Sequence, residues 1–234
     1  MLVTAQENIQ RVSQKYDKAM AEAFLNRLFA TGGPTSVVRN LTPGEVFFGK
    51  IFSGYHEIES AMETLEDIEV YLRSFPYRNS RITKARHLRY HVENSLNEVY
   101  LLRERLKSYL TTLGRSYRGD PRHDEVLQKT RPLFRTVDKV LNDIITIRGR
   151  HVHLSRFNDI DLDRVASMEL LATHGSLGRE MKDVYQTTYR MVRKHWKTTV
   201  GSNIRVLRKF LDVYGDVVHE ILFHSATGKL RLPR

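Results

Sequence analysis

Residues 80–113 read SRITKARHLRYHVENSLNEVYLLRERLKSYLTTL. Within them Leu88, Val92, Leu96, Val99, Leu102, Leu106 and Leu110 recur every three or four positions, with charged and amide side chains between. That spacing gathers the apolar groups on one stripe of an α-helix and leaves no alternation of period two for a strand. The stripe is close to a heptad, so the helix is expected to pack on a partner along most of its length. Six prolines and thirteen glycines gather at a few points of the 234-residue chain, which fits long helices rather than many short strands. The fold class read from this stretch is all-α.

Upstream, Ala5 to Phe29 reads as a helix carrying Ile9, Val12, Tyr16, Met20, Phe24 and Leu28, stopped by Thr31-Gly32-Gly33-Pro34. Thr42, Pro43 and Glu45 form a helix start ahead of Val46, Phe47, Ile51 and Phe52. Gly54 is expected to break that short helix. A longer one follows over Tyr55–Phe75, with Ile58, Met62, Leu65, Ile68 and Leu72 on its core side and Phe75-Pro76-Tyr77 as its stop.

Downstream, Gly114 suits a helix C-cap and Ser116–Pro121 a loop. The next helix is expected from Asp124 to about Arg148, with Pro132 as a kink or restart and Leu133, Val137, Val140, Leu141 and Ile144 facing the core. Gly149 to Asp159 interrupt the pattern. It resumes over Asp161–Ala172, over Ser176–Val200 (Leu177, Met181, Val184, Tyr185, Tyr189, Val192) and over Ser202–Phe223 (Ile204, Leu207, Leu211, Tyr214, Val218, Ile221). Gly201-Ser202 reads as the junction of the last two helices, and residues 228–234 as a loose tail. Short connections between long amphipathic helices imply antiparallel neighbours, hence an elongated bundle forming one domain over 1–234.

Composition narrows the function. The formal net charge of +11 and a pI near 9.9 attract polyanions, because binding phosphates releases condensed counterions. No cysteine is present, so disulfides, thiolate metal sites and cysteine nucleophiles are excluded. Met1 to Met20 is too polar for a signal peptide, and no apolar run approaches the roughly 20 residues that span a bilayer. A cytoplasmic protein without membrane contact is expected. The phosphate-cradling patterns Gly-x-x-x-x-Gly-Lys-Ser/Thr and Gly-x-Gly-x-x-Gly are missing, as is His-Glu-x-x-His. His151 and His153 have no carboxylate three or four residues on, so no metal or other cofactor is expected. The acidic run Glu57, Glu59, Glu63, Glu66, Asp67 and Glu69 reads first as a solvated face and second as an internal partner of basic helices.

The densest functional signal is Ile147-Arg148-Gly149-Arg150-His151-Val152-His153-Leu154-Ser155-Arg156-Phe157. Such a cluster suits RNA transesterification. A neutral imidazole takes the proton of a 2′-hydroxyl, which attacks the adjacent phosphorus, while an arginine stabilises the charge growing on the phosphoryl oxygens. That chemistry requires no metal. A plainer reading is equally available from the residues: Arg148, Arg150 and Arg156 serve the carbonyls of a helix C-terminus, and the histidines are surface groups.

Arg148 followed by four residues and His153, after a long helix in a basic all-helical chain, resembles the Arg-x4–6-His motif of the HEPN superfamily. The resemblance implies a helical core over roughly 55–175 and a metal-independent endoribonuclease of a defence or toxin–antitoxin setting. It further implies a homodimer whose two motifs meet in one cleft, with a protein antitoxin as a further partner. Carried over, it makes Arg148 the phosphate stabiliser and His153 the acid/base. Arg150, His151 and Arg156 would bind substrate beside them, and Asn94 and Asn97, which lie with Tyr90, His91 and Glu93 off the apolar stripe of their helix, would form a second polar wall. Five residues along a continuous helix separate two side chains by about 140°, so Arg148 and His153 converge best if Gly149 breaks the helix or a dimer mate supplies one of them. The basic run Arg193-Lys194-His195-Trp196-Lys197 with Arg205, Arg208 and Lys209 is a second candidate polyanion surface, and Trp196 either stacks on a base or packs between helices. The alternative function is a non-catalytic helical adaptor for nucleic acid or protein.

Overall fold

A computed structural model of the chain describes residues 42–76, 81–154, 159–174 and 178–233, apart from the side chains of residues 45, 143–154 and 178–179. The helix expected over Ala5–Phe29 and its stop lie outside the described residues. Among those described, the elements are α1 (Pro43–Tyr71), α2 (Lys84–Ser116), α3 (His123–Leu154), α4 (Ile160–His174) and α5 (Gly178–Leu222), with no strand. The helices pack against one another as a bundle, so the all-α reading stands. Every residue of the α2 stripe from Leu88 to Leu110 is buried, as are Ile58, Met62, Leu65 and Ile68 on α1 and Leu72 just after it.

The helices form with few breaks, and two glycines account for the largest departures from expectation. Gly54 does not interrupt α1; a Cβ there would stand 2.6 Å from Cδ2 of Tyr109, whose ring is buried. The missing side chain is a seat for an aromatic ring. Gly201 likewise lies inside α5, a 45-residue helix, where a Cβ would come within 3.3 Å of the Glu69 carboxyl carbon. The expected junction at Gly201-Ser202 is therefore a close helix crossing. Gly114 also sits within α2, which runs on to Ser116, and α3 continues through Pro132 to Leu154 rather than ending near Arg148. Val184, expected in the core, is exposed.

The described residues gather into two compact units. The first comprises the described part of Met1–Tyr55 with Tyr109–Leu133 and Phe210–Arg234. Here Tyr117 meets Phe47 edge-on at 5.8 Å, and Tyr109 and Phe210 both lie against Tyr214. Asp120, almost wholly buried, accepts from the Arg122 amide at 2.8 Å and from its guanidinium at 3.0 and 3.1 Å. The same guanidinium lies over the Tyr117 ring and donates to the Leu232 carbonyl at 2.8 Å, while the Tyr117 hydroxyl donates to the Arg231 carbonyl at 2.7 Å. The tail read as loose is thus held. It folds back through Gly228, whose φ of 62° an unbranched backbone tolerates best, and bridges Phe223 to Leu230.

The second unit comprises His56–Ser108 and Phe134–Lys209. Polar contacts join its helices. Asp138 on α3 accepts from Arg103 and Lys107 of α2, at 2.7 Å for each closest approach, and those two cations hold its carboxyl below the usual range. Arg208 of α5 donates to Glu66 at 2.8 Å and to Glu59 at 2.9 Å on α1, and Arg105 reaches Glu57 at 3.3 Å. The acidic run on α1 is therefore an internal partner at these positions, whereas Glu63 and Asp67 face solvent. Glu169 of α4 accepts from the backbone amides of Lys84 at 3.0 Å and Ala85 at 3.1 Å, and Tyr185 of α5 donates its hydroxyl to the same carboxylate. Thr83 completes the α2 start by accepting from the Arg86 amide at 3.2 Å.

Two stability measurements follow from these contacts. Gly54→Ala should destabilise the fold by about 1–3 kcal/mol, since the Tyr109 ring has nowhere to retreat. Gly49→Ala and Gly215→Ala, where a Cβ meets nothing within 4 Å, should each stabilise by up to about 1 kcal/mol in urea melts. A neutral or stabilising Gly54→Ala would refute the ring-seat explanation. Glu169→Ala should cost about 2 kcal/mol, as it strands two helix-start amides and a tyrosine hydroxyl together; an unchanged midpoint would show that Thr83 suffices.

Candidate functional site

The middle of α5 concentrates positive charge. Between Tyr185 and Leu211 the helix carries Arg190, Arg193, Lys194, Lys197, Arg205, Arg208 and Lys209, with neither Asp nor Glu. Two of these are engaged: Arg208 by the α1 carboxylates, and Arg193 by the Tyr189 ring, 5.5 Å from its centroid. Arg190, Lys194, Arg205 and Lys209 are exposed and Lys197 is half-buried, and none has a carboxylate partner among the described residues. Arg190, Lys194 and Lys197 stand at i, i+4 and i+7, within about 60° of arc, so their charges repel along one face. A polyanion relieves that repulsion. Trp196 is half-buried in register with Val192 and Val200, which favours packing over base stacking for this ring.

The face of α2 holding the amide candidates is more varied than a wet helix surface. Tyr90 is 59% exposed, Asn97 is exposed and Asn94 half-buried, but His91 is buried. His91 and His87 stand one turn apart, 8% and 7% exposed, with ring centroids 4.5 Å apart. Tyr71 at the end of α1 and Tyr90 each lie against His91, at 5.1 and 5.2 Å, and Phe75 meets His87 edge-on at 5.3 Å. His91 Nδ1 is buried without a hydrogen-bond partner among the described residues. Burial lowers both imidazoles, and His91, which also faces His87, falls to about 4. His87 escaped the sequence reading because it flanks the leucine stripe rather than lying on it; its i, i+4 spacing to His91 was the available signal.

The side chains of Arg148, Arg150, His151 and His153 lie outside the described residues, as does Arg156 altogether. The backbone of the first four is helical, and Gly149 does not break it. Arg148 thereby takes a register position in line with Val137 and Leu141, and His153 one in line with Arg135 and Lys139, about 140° away. Among the described residues no group of three or more His, Asp or Glu is arranged to hold a metal, and no helix is long and apolar enough to cross a membrane.

The histidine pair sets a pH dependence. An unfolded histidine titrates near 6.5, so below that pH the unfolded chain binds protons that folded His91 refuses until about 4. The contribution is complete above about 6.5 and is lost as pH falls toward 4. Between about pH 7.5 and pH 5 the wild type should lose about 2 kcal/mol more than His91→Phe in paired urea melts. Equal losses in the two proteins would mean that His91 is not held neutral by burial.

Comparison of the chain with protein-family models, with characterised proteins and with solved structures returns no match in any of the three.

Proposed function

We propose that the chain binds RNA, and that it cleaves the bound strand in the manner implied by its likeness to the HEPN superfamily. The observation that carries the binding is the acid-free middle of α5, where five cations stand without carboxylate partners among the described residues while Arg208 and Arg193 are engaged. Phosphates are the ligands that such a row suits, since each contact releases counterions and needs no preformed pocket. In the cleavage step His153 takes the proton of a 2′-hydroxyl, the alkoxide attacks phosphorus, and the bond to the 5′-oxygen breaks as that oxygen takes up a proton from water, His153 releasing its own to solvent afterwards. The products are a 2′,3′-cyclic phosphate and a 5′-hydroxyl end. Arg148 stabilises the charge on the phosphoryl oxygens. The register separation on α3 favours a site shared between two copies, Arg148 from one and His153 from the other.

Binding of labelled RNA in EDTA across a salt series tests the first part. Five phosphate contacts to a single strand give a slope of log K against log salt of about −3.5, and replacing Arg190, Lys194 and Lys197 together by Ala should remove about 2 of it. A slope near zero, or one indifferent to those substitutions, would refute RNA binding by α5. Cleavage products ending in 2′,3′-cyclic phosphate should vanish in Arg148→Ala and in His153→Ala. Mixing the two inactive variants should restore part of the activity, because a mixed dimer retains one whole site. Retained binding with no cleavage by wild type would leave the adaptor reading.

A further inference from the structure

The outer face of α2 holds a set of side chains that the charge on α5 does not explain. Arg86, Tyr90, Asn94 and Asn97 stand at i−4, i, i+4 and i+7 about Tyr90, within about 80° of arc, so they form one continuous strip. Arg86 is exposed, and its guanidinium has no carboxylate partner among the described residues. Tyr90 presents more than half of its surface, and Tyr71 at the end of α1 is 50% exposed. Both rings rest on His91, which is itself buried and backed by His87, whose ring Phe75 meets in turn. An aromatic ring that stands in solvent yet is braced from below loses little freedom when something stacks on it.

We propose that this strip of α2 binds one unpaired nucleotide of a single-stranded RNA, its base stacked on Tyr90 with Tyr71 beside it, its edge met by Asn94 and Asn97 and its phosphate by Arg86. The inference rests on the RNA reading of α5 and sharpens it, from phosphate attraction to a preference for single strands. Three features of the strip point the same way. A base offers a flat π-face to a tyrosine whatever its identity, an amide matches the donor and acceptor pairs on base edges, and a guanidinium pairs with phosphate in fork geometry. A duplex keeps its bases stacked inside and cannot offer one. Two or three side chains suffice for helical repeats to read one base. The strip lies at a favourable place in its unit, for the Lys84 ammonium at the start of α2 lies over the Tyr189 ring, one residue before the basic row of α5 begins at Arg190.

The experiment measures the affinity of the purified protein for a labelled, unstructured twelve-nucleotide RNA and for the same sequence annealed to its complement. It compares wild type, Tyr90→Ala, Tyr90→Phe and the Arg190, Lys194, Lys197 triple alanine variant. Wild type should favour the single strand. Tyr90→Ala should weaken single-strand binding by about five- to fifty-fold, leave duplex binding and the salt slope unchanged, and erase the preference. Tyr90→Phe should bind as wild type does, because the ring is kept and only the hydroxyl is lost. The triple variant should weaken both ligands alike. Unchanged single-strand affinity in Tyr90→Ala, with the triple variant still impaired, would overturn the stacking site and leave RNA binding standing. Equal loss on both ligands in Tyr90→Ala would also overturn it, since a general defect is not stacking. No binding of either RNA by wild type would overturn this inference and the RNA reading together.

Discussion

The carboxylate of Glu169 fixes the second unit. It stands on α4, takes the first two amides of α2 and receives the hydroxyl of Tyr185 from α5, so three helices meet on two oxygens. A carboxylate at a helix start opposes the positive end of the helix dipole and satisfies amides that the helix cannot serve itself. Burial and the nearby carboxylate both keep the Tyr185 hydroxyl protonated, so the donor is present across the ordinary pH range. The consequence reaches beyond stability. Arg86, Tyr90 and His91 all lie within two turns of the capped end, and their positions follow from where α2 begins. This strip of α2 inherits its geometry from a residue 70 or more positions later in the chain.

Most of the fold was legible because helical stripes are a local property. The α2 leucines, the series from Ile58 to Leu72 and the late series through Ile221 proved buried, apart from half-buried Leu211, since a period of 3.6 with large aliphatic groups has one economical packing. The glycines were not legible in the same way. Gly54 and Gly201 look like punctuation in the sequence, yet each admits a neighbour, the Tyr109 ring in one case and Glu69 in the other. Whether a glycine ends a helix or lets something approach depends on a residue far along the chain, and no local pattern carries that information. The tail was misread for the same reason, because the buried Asp120–Arg122 pair and Tyr117 that hold it lie more than 100 residues away.

The candidate site divides along a similar line. Charge was visible at once, but its distribution between structural and free groups was not. Arg208 and Arg205 are three residues apart and indistinguishable in composition; one is held by two glutamates of α1, and the other faces solvent alone. The acidic run on α1 decides between them, and it could be read as solvated until its partners were placed. The Arg–His cluster was conspicuous for density, but its geometry turned on whether Gly149 ends α3. A helix continuing to Leu154 sets the positions of Arg148 and His153 about 140° apart around the axis, where a break at Gly149 would have left their register open.

Pairing, rather than charge as such, is therefore the informative quantity. Where the bundle needs a cation for its own cohesion it supplies a carboxylate: Asp138 for Arg103 and Lys107, Glu59 and Glu66 for Arg208, Glu57 for Arg105. Acidic side chains are not scarce on α1, and exposed Glu63 and Asp67 serve no such pair among the described residues. The row Arg190, Lys194 and Lys197 thus stays open although counter-charges exist elsewhere on the same unit. Like charges one turn apart cost a helix a few tenths of a kcal/mol per pair, a small but uncompensated expense. A ligand with phosphates spaced along a strand removes that cost and adds counterion release, and neither gain is available to a surface whose charges are already matched. The strip proposed on α2 would supply what phosphate attraction lacks, a way to tell an unpaired base from a paired one.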